Sequence, residues 1–227
     1  MGKRKSDLFK TYIPLVDFIA GIVGPFCEVV LHDVKNVETS IVAIKNNHIS
    51  GRQVGGPLTD LGLKLLKEKA YLEKDYLINY PGKTKDGKLL RSSTFFIKDE
   101  DGDIAGMLCV NIDLSAAYTA KRFIEDFIMN INGEPQDQNT FKEDRKEVPE
   151  HLTPSLEELM HSIIEKTVAE VNIPPERMSP EEKMGVVHKL SEKGVFLLKG
   201  AITEVARHLK TSENTIYRYL SRRNSDL

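Results

Sequence analysis

Apolar side chains recur at helical spacing at Leu8, Phe9, Tyr12, Leu15, Val16, Ile19, Ile22 and Val23, and Gly24-Pro25 ends that run. Cys27–Val34 and Ser40–Ile44 are rich in β-branched residues and flank a polar turn, which predicts a hairpin. A glycine-rich loop, Ile49–Pro57, leads into a predicted helix over Leu58–Lys69, with Thr59 or Asp60 as its cap. After Asp86-Gly87-Lys88, Leu89–Lys98 and Ile104–Leu114 read as neighbouring antiparallel strands joined by the turn Asp99–Asp103. A further helix is expected over Ala116–Asn130. This order predicts an α+β domain of four or five antiparallel strands with helices on one face.

The rest of the chain is patterned for helices only. Leu156, Leu159, Met160, Ile163, Ile164, Val168 and Val171 form one stripe, stopped by Pro174-Pro175. Such a stripe must be buried, either on the tail itself or against a second subunit. Ser179-Pro180-Glu181-Glu182 reads as a capping box that starts the next helix, and Gly194 as its stop. Ala201–Leu220 then has the spacing of a helix-turn-helix. Ala206 lets two helices touch, Val205 and Leu209 bury the first, and Ile216 with Leu220 or Tyr219 buries the second. Lys210 stands where such turns commonly hold glycine, so a less regular turn is expected.

The 227 residues are 40 % apolar and 29 % charged, which excludes a disordered chain and allows a sizeable core without metal or disulfide. Cys27 and Cys109 lie in apolar contexts without ligand spacing, as expected of buried thiols in a reducing compartment. The ten-residue apolar stretch Phe18–Cys27 is too short to span a membrane. The basic start Lys3-Arg4-Lys5 lacks what a signal peptide needs next, although Met1–Ser6 fits the myristoylation pattern. These features predict a cytoplasmic protein.

Charge is unevenly spread, with a net +1 over residues 1–133, −8 over 134–182 and +5 over 183–227. Near-neutral, acidic and basic zones suggest separate tasks. The expected division is 1–132 as a PAS-like domain, 133–151 as a flexible acidic linker, 152–178 as a connecting amphipathic helix, and 179–227 as a DNA-binding domain.

Several blocks carry a family resemblance. Cys27-Glu28-Val29-Val30-Leu31-His32-Asp33, Ile49-Ser50-Gly51-Arg52, Pro57-Leu58-Thr59-Asp60, Arg91-Ser92-Ser93-Thr94-Phe95-Phe96-Ile97 and Met107-Leu108-Cys109-Val110-Asn111-Ile112-Asp113 resemble the YheO-like PAS regulators over roughly residues 8–130 and onward into the tail. The resemblance implies a cupped PAS sheet that holds a small ligand or makes a dimer contact.

Period-two alternation puts Met107, Cys109, Asn111 and Asp113 on one strand face and Leu108, Val110, Ile112 and Leu114 on the other, core-forming face. Polar groups on the first face are costly to bury unpaired, at ~1–3 kcal/mol each. His32, Asp33, Arg91, Ser92, Ser93, Thr94, Cys109 and Asn111 are therefore candidate contacts for a small polar metabolite. Arg52 beside Gly51 adds a guanidinium suited to a carboxylate or phosphate. No phosphate loop, dinucleotide fingerprint, catalytic set or metal-ligand set stands out, so no cofactor, metal or enzymatic activity is expected. An enzyme with reactive Cys27 or Cys109 is the distant rival.

The second helix of the helix-turn-helix offers Glu213, Asn214, Tyr217, Arg218 and Ser221 to a major groove, with Ser212 as its cap. Arg218 suits a guanine edge and Asn214 an adenine. Thr215, Tyr217, Lys210, Arg222 and Arg223 suit phosphates. The sequence thus predicts a homodimeric, DNA-binding transcriptional regulator whose first domain senses a metabolite. The alternative is a first domain that only dimerises or binds a protein partner.

Overall fold

The computed structural model describes residues 5–129 and 150–222. The linker reading up to 149, the myristoylation pattern's first four positions and Arg223 lie outside them. Helix α1 (Lys5–Val23) precedes β1 (Cys27–Asp33) and β2 (Ile41–Lys45). Then come α2 (Asp60–Lys67), β3 (Tyr76–Thr84), β4 (Leu89–Lys98), β5 (Ile104–Asp113) and α3 (Ser115–Met129). The second half holds β6 (Glu150–Leu152), α4 (Leu156–Ala169), α5 (Pro180–Glu192), α6 (Ala201–His208) and α7 (Glu213–Arg222).

The strands form one sheet in the order β2-β1-β5-β4-β3-β6, antiparallel throughout except for the β3–β6 pair. Two strands had escaped the sequence pattern. Tyr76–Thr84 contains Pro81 and Gly82, and its register shifts between Leu77 and Tyr80 around left-handed Asn79, which breaks the alternation that marks a strand. Glu150–Leu152 is only three residues long, carries one apolar side chain, and begins at a residue assigned to the linker.

Strand parity sorts the core into two faces. On the outer face, Cys27, Val29, Leu31, Ile97 and Leu108 pack against Val16 and Ala20 of α1. On the inner face, Val30, Phe96, Met107 and Cys109 join Leu58, Leu63 and Leu65 around α2. Helices therefore cover both faces, not one as expected, because both parities of the central strands are apolar enough to need a lid. The inner-face cluster does not stop at the domain. It continues through Leu159, Ile164, Val187, Leu190, Val205, Ile216 and Tyr219 of the helical tail.

The tail is thus packed onto α2 rather than hung from a string. A Cβ at Gly194, whose φ is +75°, would stand 2.8 Å from the Leu63 carbonyl oxygen, and the Lys199 amide donates to Glu38. Helix α4 buries its stripe within the same bundle, against α5 and α6. Ser179 and Glu182 form the reciprocal cap read from the sequence, with bonds of 3.2 and 2.7 Å.

Candidate functional site

The inner face of the sheet carries a buried polar layer. Register sets Glu28 beside Asn111 and Asn111 beside Ser92, and places Cys109 beside Thr94 in the next row. Arg52 reaches over this face from the loop before α2, although it is only 1 % exposed. Its Nη2 donates to Glu28 Oε1 at 2.7 Å and its Nε to Ser50 Oγ at 3.2 Å. Ser50 donates to Glu28 Oε2, and Asn111 Nδ2 donates to Glu28 Oε1 at 3.1 Å. A buried carboxylate paired this way needs each of these bonds to offset its desolvation.

A second cluster lies across the sheet. Tyr80 OH meets Thr94 Oγ1 at 2.7 Å, and Thr94 Oγ1 meets Cys109 Sγ at 3.2 Å. Thr59 donates to Glu150 and at the same time caps α2 by accepting from the Gly62 amide at 3.1 Å. Burial pushes the Glu150 carboxyl up to about 7, an effect opposed by the Thr59 bond. Burial likewise drives Tyr80 well above its ordinary value, with the Glu150 charge adding to it.

Four inner-face atoms, His32 Nε2, Arg52 Nη1, Ser92 Oγ and Asn111 Oδ1, have no hydrogen-bond partner among the described residues. His32 meets Ser40 Oγ at 2.8 Å through Nδ1, and Ser40 donates to the Gly56 carbonyl at 3.5 Å. With the Ser40 hydrogen directed at Gly56, Nδ1 is the donor and Nε2 keeps a lone pair. Burial, reinforced by the Arg52 charge, holds His32 well below the usual imidazole range, so it stays neutral.

Of the sequence candidates, His32, Arg52, Ser92, Thr94, Cys109 and Asn111 converge on this face. Asp33, Arg91 and Ser93 fall on the opposite parity. Asp33 accepts from the Lys35 amide at 3.0 Å and Ser93 from the Asn79 amide at 3.1 Å. Sequence reasoning missed Glu28, Ser50, Tyr80 and Glu150. Glu28 had a signal, being an acid set between Cys27 and the apolar run Val29–Leu31.

Neither cysteine suits a nucleophile. Burial pushes Cys109 up to about 12 and raises Cys27, the reverse of thiol activation.

At the other end of the chain, α6 and α7 meet at a well-formed turn. Lys210 takes the left-handed conformation at φ +50°. Its amide donates to the Arg207 carbonyl at 3.3 Å, and the Thr211 amide to the Ala206 carbonyl at 3.0 Å. That is the Schellman bond pair, so the expected irregularity is absent and lysine bears the backbone cost instead. Ser212 caps α7 by accepting from the Thr215 amide at 3.3 Å.

Ile216 and Tyr219 are buried, whereas Glu213, Asn214, Tyr217, Arg218, Ser221 and Arg222 are exposed on α7. Glu213 accepts from Thr203 at 2.8 Å, and the Arg218 guanidinium lies 5.8 Å from the Tyr219 ring centroid. His188 Nε2 contacts the Tyr219 carbonyl at 2.9 Å and fixes α7 on α5.

A PAS-type sheet with flanking helices joined to a helix-turn-helix is the architecture of a transcriptional regulator. No described helix is long and apolar enough to cross a membrane. The chain belongs to the YheO-like PAS family. Residues 3–129 match the family model described as YheO-like PAS domain, and residues 159–221 match a helix-turn-helix model. A Haemophilus influenzae protein is 32 % identical over 94 % of this chain and 90 % of its own. YheO of Escherichia coli K12 is 29 % identical over 94 % and 84 %. The transcriptional regulator DauR of Pseudomonas aeruginosa is 26 % identical over 97 % and 96 %.

Proposed function

We propose that this protein binds specific DNA through α7 and that a small polar metabolite held on the inner face of the PAS sheet tunes that binding. The observation that carries the DNA reading is the division of α7, with Ile216 and Tyr219 buried and Asn214, Tyr217 and Arg218 free to enter a major groove. Arg218 pairs with a guanine edge and Asn214 with an adenine. Lys210, Thr215, Tyr217, Arg222 and Arg223 grip phosphates, while Ser212 and Glu213 set the start of the helix.

The metabolite reading rests on the four unpartnered atoms. Arg52 Nη1 and Ser92 Oγ donate, and Asn111 Oδ1 and His32 Nε2 accept, so the site suits a molecule bearing both donors and acceptors. The two functions share a physical connection. Thr59 starts α2 and bonds Glu150 in the polar layer, whereas Leu63 and Leu65 of α2 belong to the apolar cluster that continues into the reader. A ligand that favours one arrangement of this layer shifts the reader only by its differential affinity for the two arrangements.

A homodimer on a palindrome, with half-sites ~34 Å apart or a multiple, supplies the affinity one reader lacks. Helix α3 supports it. Its side chains from Ser115 to Ile128 are exposed, including Phe123 and Phe127 at 70 % each. That face also favours a second reading, in which the PAS half serves association alone. Fluorescence anisotropy on genomic fragments recovered with the protein, repeated with a panel of polar metabolites, decides between them. Specific binding that shifts with one metabolite supports the full proposal. Specific binding that none of them shifts leaves association alone, and absence of specific binding at low salt overturns both.

A further inference from the structure

We propose a transition-metal site between α4 and α6, taking Zn2+ through His161, Glu165 and His208. His161 and Glu165 are one turn apart on α4, and His208 is the last residue of α6. One donor atom from each lies within 4.8 Å of the others, with His161 Nε2 2.9 Å from Glu165 Oε1. Ligands of a single cation stand roughly 3–4 Å apart when each bond is ~2.0–2.2 Å, so small side-chain rotations close the set. The imidazole rings already face one another edge-on, with centroids 5.1 Å apart.

A second observation points the same way. His208 Nδ1 donates to the Glu204 carbonyl at 2.9 Å, which fixes the ring and leaves the lone pair on Nε2. Metal-bound histidines are typically held by such a bond on the other ring nitrogen. His208 is 14 % exposed, whereas His161 and Glu165 are 53 % and 59 % exposed. A part-buried anchor is therefore paired with two exposed, adjustable ligands. His161 and Glu165 also line an open groove of about 460 Å3 between α4 and the β3–β6 edge, through which an aquated ion can enter.

Two imidazoles and one carboxylate favour Zn2+, Co2+ or Ni2+ over Mg2+ or Ca2+, which prefer all-oxygen shells. Three protein ligands leave a position for water. The consequence is mechanical, because the ion would join α4 to the first helix of the DNA reader just before its turn.

Titrating the full-length apo-protein with Co2+ and then Zn2+ tests this. The expected result is one Co2+ per chain, with visible d–d bands that Zn2+ abolishes and a thermal midpoint that rises with Zn2+. His161→Ala and His208→Gln should each weaken uptake by more than the ~10–100-fold that losing a ligand's hydrogen-bond partner costs. His48→Ala should leave it unchanged. Should His208→Gln fold poorly, the exposed His161→Ala carries the comparison. Equal uptake by wild type and His161→Ala, or a thiolate charge-transfer band from Cys27 or Cys109, overturns the site.

Discussion

Arg52 Nη2 lies 2.7 Å from Glu28 Oε1, and neither side chain is more than 1 % exposed. The two come from different parts of the fold, since Glu28 is on β1 and Arg52 is in the loop that leads into α2. The ion pair therefore ties the loop to the sheet, together with the bond from Ser50 to Glu28. Arg52→Ala strands a buried carboxylate and should cost ~3–5 kcal/mol. Replacing both partners, as in Glu28→Gln with Arg52→Met, should recover part of that loss. Urea unfolding of the wild type and these two variants measures it, and a double variant as unstable as Arg52→Ala would show that the pair is not acting as a unit.

Acidity acts on the same layer through Glu150. Its carboxyl is raised to about 7 in the fold, above its ordinary 4.5. Its contribution to stability is full below about 4.5 and is lost as pH rises through about 7, on the order of 3 kcal/mol in all. In Glu150→Gln that decline between pH 5 and 8 should flatten. Thermal melts across the range supply the comparison, and parallel profiles for the two proteins would remove Glu150 as the cause.

Lys210 separates stability from DNA affinity. Lysine pays ~1 kcal/mol for its left-handed backbone, so Lys210→Gly should melt higher. On the proposed DNA reading, the same change also removes a phosphate contact. Binding should weaken and the log-affinity against log-salt slope should shrink by about 0.9. A variant with unaltered slope would place Lys210 away from the phosphates.

For sequence reading, Arg218→Ala should cost ~1–3 kcal/mol on the specific site and little on random duplex. Equal losses on both would reassign Arg218 to backbone contact.

Association should depend on α3. Phe123→Glu with Phe127→Glu is expected to give a monomer by light scattering while the circular dichroism stays unchanged, because neither ring packs on the described body. An unaltered mass would move the interface elsewhere.

Much of this was legible in the chain. The two hairpin pairs followed from alternation, and the capping box at Ser179 and the buried face of α7 followed from local spacing. What was not legible depended on long-range pairing. Tyr76–Thr84 is a strand because its neighbours make it one, despite Pro81 and Gly82. Glu150–Leu152 joins the sheet parallel to β3 from far along the chain, which no local pattern announces. The buried polar layer was half visible. Parity was available, so Asp33, Arg91 and Ser93 could have been set aside, and Glu28 could have been added. The His161–Glu165 step of four residues was also readable, but its partner His208 is distant in sequence and becomes a neighbour only when α4 and α6 pack.

The apolar cluster that runs unbroken from Val30 to Tyr219 has a practical corollary. Severing the chain between its halves would lay bare two oily scars, each shaped to the other. Neither fragment is then an innocent stand-in for the parent. Heat should melt the whole as a single event rather than as a sensor followed by a reader.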